Sequence, residues 1–171
     1  AYSVHPPLDQ AGPYDSPIAV PESGGIAPGS EHDIVIAPWN DLDALKAVFE
    51  KHGSELACVL TEPILCNTNC IMPRPGYMEG MRELCDKYGV LLIFDEVITG
   101  YRVALGGAQE LLGVEPDLAT YAKALAGGFP LSMLIGKPEI MAVLGDAGVQ
   151  HGGSFNSNVM SMSAARAGLK H

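Results

Sequence analysis

The sequence predicts an α/β fold, a three-layer sandwich in which a mostly parallel sheet has helices on both faces. Two observations carry this prediction. Short apolar runs alternate along the chain with longer segments of helical periodicity, and this alternation is typical of parallel strands that are connected by helices. The apolar runs also show little polar alternation, as expected for strands that are covered on both sides.

The predicted elements follow one another in a regular order after an irregular beginning. Residues 1–38 hold much of the proline and glycine, and we predict an irregular surface segment that ends in a short strand at 33–37. Residues 39–171 carry the alternating pattern. Helices are predicted at 40–53, 76–88, 108–112, 137–144 and 160–170, and strands at 57–62, 90–95, 118–121 and 131–135.

Helical periodicity and end signals define the first two helices. Leu45 and Phe49 share one face of the first helix. Asn40 or Asp41 can cap its beginning, because a short polar side chain can accept hydrogen bonds from the first free N–H groups. Gly89 can end the second helix in the left-handed conformation. Each helix therefore has an apolar face to place on the predicted sheet.

Charged side chains finish or follow three of the predicted strands. Asp95 ends the most apolar run, Glu62 ends another, and Lys123 lies just past a third. In parallel sheets ligands bind beyond the carboxyl ends of the strands. We therefore expect these three side chains to converge on one rim of the sheet.

Composition excludes several function classes. The 171 residues fit one ordinary domain, and the net charge of −10 disfavours nucleic acid or an anionic membrane as a partner. The four cysteines form no Cys-x-x-Cys pair, so we expect no metal site but reduced thiols in a cytoplasmic protein. We find no apolar run of membrane-spanning length and no signal peptide.

The acid pair that ends the run at 90–95 has several possible roles. Asp95 could hold a pyridine ring nitrogen in its protonated form, or it could be a buried acid that caps a neighbouring loop. An apolar run followed by two acids also resembles the magnesium-binding segment of nucleotide hydrolases. That function requires a Gly-x-x-x-x-Gly-Lys-Ser/Thr loop, and here Gly136-Lys137 is followed by Pro138 while position 131 is leucine. We therefore disfavour the nucleotide-hydrolase interpretation.

Lys123 is the candidate nucleophile. Most lysines are solvated surface charges, but this one is flanked by alanines, a leucine and the pair Gly127-Gly128. Small neighbours leave space for a cofactor, and burial would lower the pKa of the amine as imine formation requires. Lys123 could then form a Schiff base with a bound pyridine aldehyde and move protons.

The segment 151–158 supplies a third candidate element. Its glycines, together with Ser154, lie just before a predicted helix, where backbone amides and a hydroxyl can bind a phosphate. A plain glycine turn with Ser or Asn as the helix cap explains the same residues equally well.

Taken together, the segments resemble the class III, fold-type-I aminotransferases, which depend on pyridoxal 5'-phosphate. The resemblance implies that Asp95 pairs with the pyridine nitrogen, Val97 packs on one ring face and Lys123 carries the cofactor. It implies that Ser154, where the family usually has threonine, binds the phosphate of the neighbouring subunit in a homodimer. The segments are TEPI at 61–64, FDEVITGYR at 94–102, AKALAGGFP at 122–130 and GGSF at 152–155.

The resemblance also narrows the reaction. The segments PRPG at 73–76 and YRVALGGAQ at 101–109 are similar to glutamate-1-semialdehyde 2,1-aminomutase, which converts the semialdehyde to 5-aminolevulinate. The segment 155–162 instead resembles aminotransferases that act on β-amino acids, because Ser157-Asn158-Val159 replaces the usual Gly-Asn-Pro. Asn67 stands where ornithine and 4-aminobutyrate aminotransferases usually have glutamate, which disfavours those two. A β-amino acid or omega-aminotransferase is therefore the alternative activity.

The resemblance further implies that 39–171 is part of the large cofactor-binding domain. The family's N-terminal segment and its small C-terminal domain are absent from the 171 residues. We therefore expect the isolated chain to be inactive, and the alternative of another class is a non-catalytic binding or scaffold module. The substrates implied are small amino and keto or aldehyde compounds.

Overall fold

The computed structural model describes residues 6–7, 9–145 and 148–170, and its fold is α/β. Four strands form one sheet in the order β1-β2-β3-β4, of which the first three are parallel and β4 is antiparallel to β3. The predicted class, with a mostly parallel sheet, is confirmed. The strands are β1 (Cys58–Thr61), β2 (Leu91–Asp95), β3 (Leu118–Tyr121) and β4 (Met133–Gly136), and the α-helices are α1 (Leu42–His52), α2 (Tyr77–Tyr88), α3 (Gly107–Leu112), α4 (Pro138–Met141) and α5 (Val159–Gly168).

The ends of the two long helices follow the local sequence signals. Asp41 caps α1, because its side chain accepts a hydrogen bond of 2.9 Å from the backbone N–H of Ala44. Gly89 ends α2 with a φ of 69°, a left-handed conformation that costs glycine nothing. Both predicted end signals are confirmed.

The core lies on the sheet face that carries alternate residues of β2 and β3. Leu92, Phe94, Ala119 and Tyr121 are buried there, and they pack in one cluster with apolar side chains of α1 and α2. Each large side chain that is fully buried contributes about 1.5–3 kcal/mol of hydrophobic stabilisation. The residues that α1 and α2 contribute to this cluster are Leu45, Phe49, Tyr77, Met78, Met81 and Cys85.

The opposite face of the sheet is more open, and β1 is not the buried strand that we predicted. Leu60 on β1 is 66% exposed and Leu134 on β4 is 42% exposed. β1 pairs with β2 alone in the sheet order, so it is an edge strand. A run of apolar residues does not reveal whether a strand lies at the edge of a sheet, because that position depends on which strands pair.

Two other predicted elements are wrong or divided. Residues 33–37 do not form a strand; the structure has a 3₁₀-helix at Ser30–Asp33 followed by irregular chain. The helix predicted at 137–144 is split into α4 and a 3₁₀-helix at Ala142–Leu144. Both errors concern short segments, for which local periodicity gives little information.

Asp117 joins three elements at the amino end of β3. Its carboxylate accepts hydrogen bonds from Arg82 of α2 at 2.9 Å, from the N–H of Leu92 at 2.7 Å and from Lys137 at 2.5 Å. Burial by itself would raise the pKa of Asp117, but hydrogen bonds from Lys137, Leu92 and Arg82 outweigh it and hold the pKa below its usual value. None of the helices that the structure describes is long and apolar enough to cross a membrane.

Candidate active site at the carboxyl end of the sheet

Asp95 and Lys123 lie at the carboxyl ends of neighbouring parallel strands. Asp95 is the last residue of β2 and stands opposite Thr120 of β3 in the strand register. Lys123 follows Tyr121, the last residue of β3, by two positions. Because the two strands are parallel and adjacent, both residues are delivered to the same edge of the sheet, where ligands of such sheets bind.

The Asp95 carboxylate is half-buried, and hydrogen bonds to one of its two oxygens fix its orientation. Its Oδ1 accepts hydrogen bonds from the N–H of Val97 at 3.0 Å and from the hydroxyl of Thr120 at 3.5 Å. Among the residues that the structure describes, no hydrogen-bond partner is found for Oδ2. The carboxylate is therefore held in place while one oxygen stays available for a ligand.

The neighbouring Glu96 is completely buried and accepts four hydrogen bonds. The Thr99 hydroxyl and the N–H of Ala108 donate to Oε2 at 2.7 and 2.6 Å, and the N–H and side-chain amide of Gln109 donate to Oε1 at 2.9 and 3.3 Å. Two of the donors are free N–H groups at the beginning of α3, where a negative charge is also favoured by the helix dipole. Glu96 thereby ties the loop 97–106 to the end of β2.

The same network reaches Tyr121 and requires a glycine. The side-chain amide of Gln109 also donates a hydrogen bond to the Tyr121 hydroxyl. Burial, together with the negative charge of Glu96, raises the pKa of Tyr121 to about 12, so the phenol stays protonated. Gly107 has a φ of 78°, and a Cβ at this position would collide with the Glu96 carboxylate. Only glycine fits there without a shift of the loop.

Lys123 is exposed, which corrects the expectation that it is buried. It has a φ of 42° and begins a 3₁₀-helix, Lys123–Ala126, against which α5 packs. Leu125 and Ala126 point into the core and anchor the turn. Two of the apolar neighbours of Lys123 therefore serve the packing of the turn, while the lysine itself is exposed. Positive φ in a non-glycine residue is uncommon and is frequent at functional sites.

Open space surrounds the turn that follows Lys123. Gly127 and Gly128 have φ values of 57° and 102°, and a Cβ at either would meet no atom within 4 Å. The glycines are required by the backbone conformation and not by crowding.

The other predicted site residues lie in different surroundings. Val97 is half-buried and its N–H donates to Asp95. Ser154 is exposed in a turn before α5, and within the described ranges it makes no hydrogen bond with Asp95 or Lys123. The cap of α5 is Asn158, whose Oδ1 accepts hydrogen bonds from Met160 and Ser161. The capping role that the sequence left open for 151–158 thus belongs to Asn158.

Glu62, the third charged residue at a strand end, binds its own loop. Its Oε2 accepts the N–H of Cys66 at 3.0 Å and that of Asn67 at 3.3 Å, and its Oε1 accepts the Asn67 side-chain amide at 2.9 Å. The carboxylate therefore closes the loop that follows β1. Glu62, like Asp95, lies at the carboxyl end of a parallel strand, but its hydrogen bonds hold the shape of its own loop.

Sequence reasoning missed the residues that support the rim. Thr120 and Gln109 carry no motif of their own, and they reach the acid pair only through strand register and through the position of α3. The one signal available was the acid pair itself, because two adjacent carboxylates at the end of an apolar strand require partners.

Comparison with known proteins assigns the family. Residues 21–171 match the family model described as aminotransferase class-III. The chain belongs to the class-III aminotransferases. It is 45% identical over 158 residues to glutamate-1-semialdehyde 2,1-aminomutase 2 of Brevibacillus brevis, a match that covers 92% of this chain and 37% of that protein. The chain thus spans little more than a third of the length of this relative.

Solved transaminase structures share the fold. An omega-transaminase from Sphaerobacter thermophilus superposes with a TM-score of 0.85 at 35% identity, over 99% of this chain and 38% of that one. A structure described as a transaminase with PLP bound gives a TM-score of 0.82 at 32% identity, over 90% of this chain and 37% of that one. The resemblance to class III that the motifs indicated is confirmed.

Proposed function

We propose that this chain is part of the large domain, over residues 39–171, of a pyridoxal-phosphate enzyme that transfers an amino group between an amino compound and a carbonyl compound. The observation that carries the proposal is the placement of Asp95 and Lys123 at the ends of adjacent parallel strands in a class-III aminotransferase. A carboxylate and a lysine are the two groups that a bound pyridine aldehyde needs from its protein.

The residues present fit this cofactor. Asp95 presents Oδ2 without a partner among the described residues and could accept the pyridinium N–H. The Nζ of Lys123 would hold the aldehyde carbon, and Gly127-Gly128 leave space beside it. The hydrogen bonds from Val97 and Thr120 keep the carboxylate from rotating as its partner binds. Val97 would pack on one ring face.

Each of these side chains has a distinct task in the reaction. When bound, the cofactor supplies an electron sink for the electrons released from a substrate C–H bond. Asp95 stabilises the positive charge on the ring nitrogen, because an opposite charge within hydrogen-bond distance favours the protonated form. The amine of Lys123 would take the proton from the substrate carbon and return it at a second carbon.

We also propose a homodimer with a shared site. Ser154 lies in an exposed turn, and its hydroxyl would bind the cofactor phosphate of the partner chain. This arrangement accounts for a polar, glycine-containing segment that makes no hydrogen bond with Asp95 or Lys123 in the described part of its own chain. The cytoplasmic location, and small molecules as the partners in place of nucleic acid or membrane, remain predictions from the cysteines and the charge.

Glutamate-1-semialdehyde is the substrate that we favour, with 5-aminolevulinate as the product. Support comes from the 45% identity to an aminomutase and from the segment 101–109. The alternative, transfer from a β-amino acid or an omega-amine, is favoured by residues 155–162 and by the likeness to an omega-transaminase. A product assay of the whole protein with the semialdehyde, and with a β-amino acid plus a keto acid, separates the two.

Borohydride reduction tests the assignment of Lys123. In the whole protein with pyridoxal phosphate, we expect a visible absorbance band, and reduction should attach one phosphopyridoxyl group to the peptide that contains Lys123. Lys123→Ala should abolish the band and the label. Lys51→Ala, at an exposed helical lysine, is the control and should retain both. A Lys123→Ala protein that keeps the reducible band contradicts the assignment.

Asp95→Asn provides the second test and addresses the scaffold alternative. The variant should still be labelled at Lys123 but should lose most of its turnover, because an amide cannot hold the ring nitrogen protonated. Failure of the unaltered whole protein to take up cofactor at all would instead favour the non-catalytic binding module.

A further inference from the structure

Cys66 and Cys70 lie on the two sides of a tight loop that follows β1. Leu65 and Ile71 form an isolated antiparallel bridge and exchange two backbone hydrogen bonds, of 3.0 and 3.2 Å. In antiparallel pairing, the Cα atoms of such a doubly bonded pair lie about 5.5 Å apart. Cys66 and Cys70 are the next residues along the chain on the loop side of this bridge, so the bridge holds them near each other.

The two thiols also influence each other, because the neighbouring Cys70 side chain is one of the causes that raise the pKa of Cys66. Disulfide bonds require Cα atoms about 4.4–6.8 Å apart, a range that includes the separation of the bridged residues that flank the two cysteines. Cys70 is exposed and Cys66 is partly exposed, so reagents in solution can reach the pair.

The loop is held in the shape that brings the thiols together. The Glu62 carboxylate accepts the N–H groups of Cys66 and Asn67, while Asn69 and Cys70 turn the chain with φ values of 69° and 56°. Because the Leu65–Ile71 bridge already closes the loop around the two thiols, bond formation between them needs only a small movement of the backbone.

We propose that Cys66 and Cys70 are a redox modification site, in which a peroxide converts the two thiols into a disulfide within the loop. This inference does not depend on the proposed function. The sulfur of Cys70, the more exposed thiol, attacks one peroxide oxygen; the O–O bond breaks, a sulfenic acid forms and one water leaves. The sulfur of Cys66 then attacks the sulfenic sulfur, the S–S bond forms, the S–O bond breaks and a second water leaves. The two sulfurs lose two electrons in total, which the two peroxide oxygens gain, and a dithiol reductant reverses the reaction.

The surroundings of Cys66 set the pH dependence. Burial is the largest cause that raises the pKa of Cys66 to about 11. The neighbouring Cys70 thiol and the charge of Glu62 raise it further, and Arg102 opposes them. The thiolate is the nucleophile in disulfide formation. The closing step should therefore accelerate as the pH rises from 7 to 9.

The disulfide would fix one wall of a groove beside the rim of the sheet. Leu65 and Thr68, on either side of Cys66, line this groove together with Tyr14, Trp39 and Glu62. Oxidation would remove the freedom of the loop to move relative to the groove.

Thiol counting after graded oxidation tests the proposal. The reduced 171-residue chain, at low concentration, is treated with hydrogen peroxide, alkylated and analysed by intact mass and by peptide sequencing. We expect two of the four thiols to be lost together, with the mass of a single disulfide and a crosslink between positions 66 and 70. The sulfenic acid of Cys70 should not accumulate, because the partner thiol is already in place, whereas an oxidised Cys58 should remain as a sulfenic or sulfinic acid. Dithiothreitol should restore all four thiols.

Serine variants supply the controls. Cys58→Ser, at another exposed cysteine, should form the disulfide at the rate of the unaltered chain. Cys66→Ser and Cys70→Ser should each form no intrachain disulfide, and circular dichroism checks that they are folded. The proposal is wrong if Cys58 is oxidised while Cys66 and Cys70 remain free thiols. It is also wrong if the crosslink involves Cys58, or if a disulfide persists in Cys70→Ser.

Discussion

Replacement of Glu96 by glutamine should destabilise the fold far more than its similar shape suggests. Each carboxylate oxygen of Glu96 accepts one backbone N–H, from Ala108 at 2.6 Å and from Gln109 at 2.9 Å. Glutamine has one oxygen and one NH₂ group at these positions. In either orientation, the NH₂ group faces a backbone N–H, so one buried donor loses its acceptor and two donors repel each other.

The magnitude follows from these contacts. A hydrogen bond to a charged group contributes about 1.5–3 kcal/mol, and a buried donor that loses its partner costs about 1–3 kcal/mol. The two quantities overlap in part, since they describe the same N–H. We therefore expect Glu96→Gln to lower the free energy of unfolding by about 2–4 kcal/mol.

Urea unfolding measures this change directly. Fluorescence of Trp39, the single tryptophan, and far-ultraviolet circular dichroism should give coincident transitions. The control is Glu83→Gln, on the exposed surface of α2, which should change the free energy of unfolding by less than about 0.5 kcal/mol. If Glu96→Gln is as stable as this control, then the hydrogen-bond network does not hold the loop, and our account of the rim is wrong.

Three further predictions use the same unfolding assay. Phe94→Ala should lower the free energy of unfolding by about 3–5 kcal/mol, because the ring is fully buried and leaves a cavity; a loss under about 1 kcal/mol would mean that the core tolerates the cavity. Gly107→Ala should cost at least about 1–3 kcal/mol, from its positive φ and the collision with Glu96, while Gly24→Ala, in open space, should be neutral or slightly stabilising. The pKa of Asp117 in the folded chain is lowered from 3.8. The contribution of its carboxylate to the free energy of unfolding is therefore present above that value and is lost as the pH falls through the folded pKa. Unfolding free energies from pH 6 to 3 should therefore converge between the unaltered chain and Asp117→Asn, and parallel curves would contradict the assignment.

The parts of the fold that the sequence predicted depend on neighbours along the chain. The cap at Asp41 and the left-handed stop at Gly89 involve contacts within a few residues, which sequence patterns describe directly. The strand that ends at Asp95 was equally clear, because five apolar residues in succession precede the acid. Local signals thus located the elements and the acid, although short segments such as 33–37 were misassigned.

The parts that the sequence could not predict depend on residues distant in the chain. β1 is an edge strand because it pairs only with β2, and no property of its own residues determines this. Glu96 and Gln109 meet across a separation of 13 residues, and Thr120 reaches Asp95 across 25. Their side chains are ordinary in the sequence and acquire a role only when the sheet and α3 bring them together.

The exposure of Lys123 bears directly on the proposed activity. A lysine that reacts with an aldehyde must lose its proton, and desolvation is one means by which proteins favour the neutral amine. The described residues do not bury this side chain, because Leu125 and Ala126 fill the core in its place. If Lys123 has the proposed role, the groups that cover it must come from the bound cofactor, from chain outside the described residues or from a second copy. The exposed Ser154 turn, proposed to serve the partner's cofactor, has the same requirement, and a second copy would satisfy both. We therefore expect cofactor binding by the whole protein to weaken on dilution as the dimer dissociates, and cofactor binding that is independent of protein concentration in a demonstrated monomer would contradict the shared site.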